Sequence, residues 1–141
     1  VVQQHWRCCA INRLRPMASP PASCIRSVDP AGAVVGTYSL RPNSLALGAH
    51  VSNAGYVVAE HCRSQRIGSR PRQHSLQAAR RLGFRLMQFN LVVSTNTAGI
   101  RCWQRNGFQL VGTLPGAFRH ERLGYVDALV MVQSLLEASG T

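Results

Sequence analysis

Arg63, Ser64, Gln65, Arg66, Ile67 and Gly68 form a basic turn just ahead of a helical stretch. The first N–H groups of a helix have no intrahelical partner, and nearby arginines add positive charge, so such a turn suits a phosphate. Gly68 has no Cβ to hold a ligand away from the backbone. Ser69 is the candidate N-cap of the helix. Upstream, Tyr56-Val57-Val58 ends an apolar strand, and Glu60 follows it. Downstream, an alternating strand runs into Ser94-Thr95-Asn96. Asn96 caps a short helix with Ile100, Cys102 and Trp103, which Asn106-Gly107-Phe108 closes.

These residues need a frame to position them. Residues 1–28 are irregular, broken by Pro16, Pro20 and Pro21, with a strand expected over 24–28. Asp29-Pro30-Ala31-Gly32 is a turn into a strand over 33–40, so 24–40 reads as a hairpin. A loop over 41–48 precedes a strand over 50–59. In 72–82 the spacing of Leu76, Ala79 and Leu82 gives one apolar helical face. Arg80 and Arg81 lie near its C-terminus, where cations favour the helix dipole, and Gly83 is a natural residue to end it. A strand over 86–93 carries apolar residues on both faces near its end, as a central strand does. Strands over 108–114 and 124–135 follow, with Pro115-Gly116 expected to turn the chain and Phe118 to Arg122 to join the two as a charged loop.

At 141 residues the chain is one domain in size. The formal charge is +11, and all 16 basic residues are arginines, spread from Arg7 to Arg122. The net field favours anionic ligands. Five cysteines, odd in number and without C-x-x-C spacing, speak against a disulfide framework or a zinc site. None of the five histidines forms an i, i+4 pair with a neighbouring carboxylate, so no metal is expected. No apolar run reaches the length of a membrane helix, and no leader peptide is recognisable. Reduced thiols and the lack of an export signal make a cytoplasmic location the expectation.

The order strand, basic turn, helix, strand, Asn-capped helix and Gly-Phe resembles the acyl-CoA-binding core of the GNAT superfamily of N-acetyltransferases. The resemblance runs from Ala33 to about Leu135 and is strongest from Tyr56 to Gly112. It implies an α/β (α+β) fold, a mixed and mostly antiparallel sheet flanked by helices. The domain is expected over 29–137, after an irregular or incomplete segment 1–28 and before a tail 138–141. The family's phosphate motif is Gln or Arg, two residues, Gly, one residue, then Gly or Ala. It falls on Arg63, Ser64-Gln65, Arg66, Ile67 and Gly68. Arg66 therefore stands where the family has glycine, adding charge but also a Cβ. Pro71 stands where the family has an apolar helix residue; within a helix it costs about 3 kcal/mol, and in the first turn little.

By the same resemblance, acetyl-CoA binds through Arg63, Gln65, Arg66, Ile67, Gly68 and Ser69, and through the backbone of Tyr56, Val57 and Val58. An N–H near Val58 would polarise the thioester carbonyl. Asn96 would contact the pantetheine arm, or act as a plain N-cap. Trp103 stands where the family has an acidic tyrosine; it shapes the channel near the thiol or anchors its helix in the core. Glu60, or a water near Asn53, is the candidate base, and Tyr125 and Asp127 are candidate acceptor contacts. The implied function is acetyl transfer from acetyl-CoA to an unidentified amine by direct attack in a ternary complex. Arg66, Pro71 and the short N-terminus open an alternative, a non-catalytic or degenerate acyl-CoA-binding domain. A basic nucleic-acid-binding module is the less favoured third reading, since aromatic and basic residues do not interleave on a surface motif. No membrane partner is expected, and a homodimer is allowed.

Overall fold

The computed structural model describes residues 23–28, 32–58 and 69–136. The elements are β1 (Ser23–Val28), β2 (Val34–Pro42), a 3-10 turn (Ala46–Gly48), β3 (Val51–Val58), α1 (Ser69–Arg81), β4 (Leu86–Val93), α2 (Thr97–Arg105), β5 (Gln109–His120) and β6 (Gly124–Ser134). The strands of the described residues form one six-stranded sheet in the order β1-β2-β3-β4-β6-β5. Only β3 and β4 run parallel; every other neighbouring pair is antiparallel. A parallel pair needs a crossover, and α1 lies in that crossover. This is the expected mixed, mostly antiparallel α/β sheet. The expected hairpin is present as β1 paired with β2.

One face of the sheet carries the core. Tyr38 and Leu40 of β2, Ala54 of β3 and Met87 and Phe89 of β4 pack with Leu76 and Ala79 of α1, and Ile100 and Trp103 of α2 join the same cluster. Both helices therefore cover that face. They also end alike. The N–H of Gly83 bonds Arg80 O and that of Phe84 bonds Ala79 O; the N–H of Gly107 bonds Gln104 O and that of Phe108 bonds Trp103 O. Each is a Schellman turn, with φ of +85° at Gly83 and +90° at Gly107, values that favour glycine. The following phenylalanine, Phe84 or Phe108, is buried. Gly-Phe thus both stops a helix and drives the chain back into the core.

α1 is described from Ser69 to Arg81, with Pro71 inside it. A proline in the first turn of a helix removes no intrahelical hydrogen bond.

Two expectations for the C-terminal strands are corrected. Pro115-Gly116 does not turn the chain; β5 continues through it to His120. The ladder with β6 instead shifts register between Leu114 and Phe118. Proline cannot donate to a ladder, and β5 is an edge strand, where a bulge absorbs that loss. The N–H of Gly116 donates to Asp127 Oδ1 at 3.0 Å, which ties the bulge to β6. Likewise Phe118, Arg119 and His120 are not loop residues but pair with Val126, Tyr125 and Gly124. The turn is Glu121 to Leu123, where His120 Nδ1 accepts from the N–H groups of Arg122 and Leu123 at 3.1 and 3.3 Å.

Candidate functional site

β3 and β4 are each eight residues long, yet they pair only at Val51 with Leu86 and Ser52 with Met87. Beyond that point the strands part. On its other side β3 stays paired with β2 as far as Val58. Alternate residues of an antiparallel strand turn their N–H and C=O away from the partner. From Asn53 onward, β3 therefore presents backbone groups that β4 does not take up. Ser52 marks the root of the split: it is fully buried, and its Oγ donates to Leu86 O at 3.0 Å.

An aromatic cluster lies between the split and the helices. Trp103 packs on Phe89, Tyr56 and Phe108, with ring centroids 4.4, 5.2 and 5.3 Å away. Phe89 and Phe108 stack at 4.5 Å. The Arg72 guanidinium lies 5.1 Å from the Trp103 ring centroid, a cation on an indole face, and its Nη1 contacts Cys102 Sγ.

Two phenols bind α1 to the sheet. Ser75 Oγ donates to Arg72 O at 2.7 Å, so its own hydrogen is spent. The Tyr56 hydroxyl, 2.6 Å from Ser75 Oγ, is therefore the donor of that pair. Tyr38 Oη is 2.6 Å from His74 Nδ1. Burial, the largest cause, pushes the Tyr56 phenol up to about 12; the Ser75 bond and Arg72 pull the other way and Tyr38 adds to the rise. Burial also raises the Tyr38 phenol. Both phenols stay neutral near pH 7 and act as hydrogen-bonding anchors.

Of the residues singled out in the sequence, Tyr56, Asn96 and Trp103 are positioned by these elements. Tyr56 points its ring to the helix face and its backbone borders the split. Val57 lies on the opposite face, and the Val58 backbone ends β3 opposite Gly36. Ser69 is the first described residue of α1. Asn96 caps α2: its Oδ1 accepts from the Gly99 N–H at 3.0 Å. A Cβ at Gly99 would come within 2.5 Å of Asn96 Nδ2, so glycine leaves room for that cap. Glu60, Arg63, Gln65, Arg66, Ile67 and Gly68 lie outside the described residues. Tyr125 is exposed, and Asp127 is engaged with the β5 bulge.

Sequence reading passed over Tyr38, Arg72, His74 and Ser75. A signal for two of them exists. Arg72, Ser75, Leu76 and Ala79 follow the i, i+3, i+4, i+7 spacing of one helical face. Two polar residues on an apolar stripe must find partners inside, as Ser75 does with Tyr56. Among the described residues no group of His, Cys, Asp or Glu is placed to hold a metal ion. Nor is any helix of those residues long and apolar enough to cross a membrane.

Comparisons with known proteins bear on this geometry. The model of the acetyltransferase (GNAT) family matches residues 4–108. The N-acetyltransferase aca1 of Schizosaccharomyces pombe is 35% identical over 113 residues, 78% of this chain and 53% of that protein. The chain thus spans about half the length of this curated relative. A GCN5-related N-acetyltransferase from Kribbella flavida superposes with a TM-score of 0.78 at 39% identity, covering 84% of this chain and 71% of that one. A phosphinothricin acetyltransferase from Sinorhizobium meliloti, solved in complex with AcCoA, shares the fold with a TM-score of 0.72 at 22% identity, over 84% of this chain and 63% of that one. A family match over well more than half of the chain, on a fold with one parallel pair that splits beneath a crossover helix, places this protein in the acetyltransferase (GNAT) family.

Proposed function

We propose that the chain binds acetyl-CoA and transfers its acetyl group to an amine. The observation that carries this reading is the split between β3 and β4 beyond Ser52 and Met87, with α1 the next described element after β3. An extended ligand with its own amides can satisfy the strand edge that β4 leaves open, since buried backbone groups need partners. The pyrophosphate would lie at the turn Arg63 to Gly68, at the head of α1, with Ser69 in the first turn. Tyr56, Val57 and Val58 would pair with the pantetheine arm, and Asn96 would reach it from the cap of α2. No structural metal or redox cofactor is needed for this chemistry.

In the proposed reaction the amine lone pair attacks the thioester carbonyl carbon. The carbonyl oxygen gains charge, which an N–H near Val58 would stabilise. The C–S bond then breaks and the sulfur leaves as thiolate. Before that attack, Glu60, or a water near Asn53, takes a proton from the acceptor ammonium and so frees the lone pair. Holding both substrates together supplies much of the rate. Trp103 shapes the channel wall near the thiol. β5, an edge strand with Leu110, Val111 and Leu114 exposed, is the surface through which two copies would associate. A cytoplasmic location belongs to the same proposal.

Titration calorimetry with acetyl-CoA, paired with CoA release across a panel of amines, tests the reading. Binding with turnover of at least one amine is expected. Binding without release for any amine supports the degenerate domain. Binding of a DNA duplex in place of acetyl-CoA would favour the nucleic-acid module.

Trp103→Phe separates packing from proton transfer. An indole N–H is a donor but no acid, and a leaving thiol of pKa about 8.5 can take its proton from solvent. At matched folded fraction, kcat should fall less than about tenfold, against the roughly hundredfold or more that loss of a general acid brings. A larger fall with KM unchanged would give Trp103 a chemical role.

A further inference from the structure

The face of the sheet away from α1 and α2 carries a tie across the split. Ser52, Ala54 and Tyr56 of β3 and Met87 and Phe89 of β4 turn toward the helices. Their strand neighbours Asn53, Gln88 and Asn90 therefore project from the other face. Asn43, in the connection after β2, is anchored by its own N–H, which donates to Val51 O at 2.7 Å. Its Oδ1 accepts from Asn53 Nδ2 at 3.3 Å and from Asn90 Nδ2 at 2.6 Å. Asn90 Oδ1 in turn accepts from Gln88 Nε2 at 2.8 Å. One amide oxygen thus takes hydrogens from both diverging strands, just past their last paired residues. With Ser52 Oγ on Leu86 O at the same level on the buried face, the root of the split is pinned on both sides.

We infer that Asn43 is a positioning residue, which sets the spread of β3 and β4 and so the width of the slot for the acyl-pantetheine arm. The inference rests on the acetyl-CoA reading above. Backbone pairing cannot hold the strands at a set distance once it stops, and two bonds to a single oxygen restrict that distance from either side. The tie uses Asn43 only as an acceptor. A carboxylate at this position can accept both hydrogens, and a methyl group can accept neither.

The test compares the wild-type chain with Asn43→Ala, Asn43→Asp and Asn90→Ala. The readouts are the acetyl-CoA dissociation constant by calorimetry, KM and kcat for CoA release, and the melting temperature. Losing two hydrogen bonds that define the slot should raise the Kd and KM for acetyl-CoA roughly tenfold in Asn43→Ala. Asn43→Asp should return both to within about threefold of wild type, since it restores the acceptor. Asn90→Ala, which cuts only the β4 half from an exposed position, should move the constants the same way and carries the test if Asn43→Ala does not fold. A melting temperature that falls in Asn43→Ala while Kd, KM and kcat stay at wild-type values would overturn the inference and leave the transferase reading standing. Failure of the wild-type chain to bind acetyl-CoA would overturn both.

Discussion

Phe108→Ala should lower the stability of the domain by about 3–5 kcal/mol, the cost of deleting a fully packed aromatic side chain. Phe108 is 3% exposed. It stacks on Phe89 at 4.5 Å and meets the edge of Trp103 at 5.3 Å. Its backbone N–H also closes the Schellman turn of α2 on Trp103 O. Truncation would leave a cavity between α2 and the strands β4 and β5, and remove the apolar contact that accompanies such a turn. Domains of this size have total stabilities of about 5–15 kcal/mol, so a large part of the margin is at stake. Phe108→Leu, which keeps most of the volume, should cost under about 1.5 kcal/mol. Urea unfolding of the three proteins measures both. A loss below about 1 kcal/mol for the alanine variant would mean that the cluster around Trp103 is not the packed unit described above.

Alkaline unfolding is the second expectation. Burial raises the Tyr56 phenol from 10.0 to about 12 in the folded chain. Between those values the unfolded chain loses its phenolic proton while the folded chain keeps it. Stability is therefore intact below about pH 10 and falls as pH rises toward 12, by up to about 2–3 kcal/mol. Tyr38, raised by burial as well, adds to the same slope. Tyr56→Phe removes the titrating group and should flatten that slope. It also frees Ser75 Oγ of its donor, so the variant should be about 1 kcal/mol less stable at neutral pH. Melting curves from pH 7 to 11.5 for both proteins give the comparison. Parallel curves for wild type and Tyr56→Phe would rule out a buried phenol at this position.

What could be read along the chain was local. Gly83 and Gly107 mark helix ends because a left-handed residue is needed there, and each precedes an apolar residue that must be buried. Asn96 was readable as a cap because the free N–H of Gly99 lies within reach of its own turn. Strand 86–93 was readable from its apolar run, of which Met87, Phe89 and Val92 are buried under the helices while Leu91 is exposed. The order of these pieces was enough to suggest the family.

The misread places depended on neighbours that a chain does not carry beside itself. Pro115-Gly116 has the composition of a turn. It became a bulge because β6 lies alongside and Asp127 takes the free N–H of Gly116. The polar pair Arg72 and Ser75 had partners only once α1 was laid over β3, where Tyr56 meets Ser75. The tie at Asn43 joins residues 10 and 47 positions away in sequence, and no local pattern marks it. From sequence by itself came the order of the elements, both glycine helix ends and the family they suggest. Tertiary structure alone decided that β3 and β4 part after two residue pairs, because pairing partners, register and the side-chain ties across a split are set by through-space contacts.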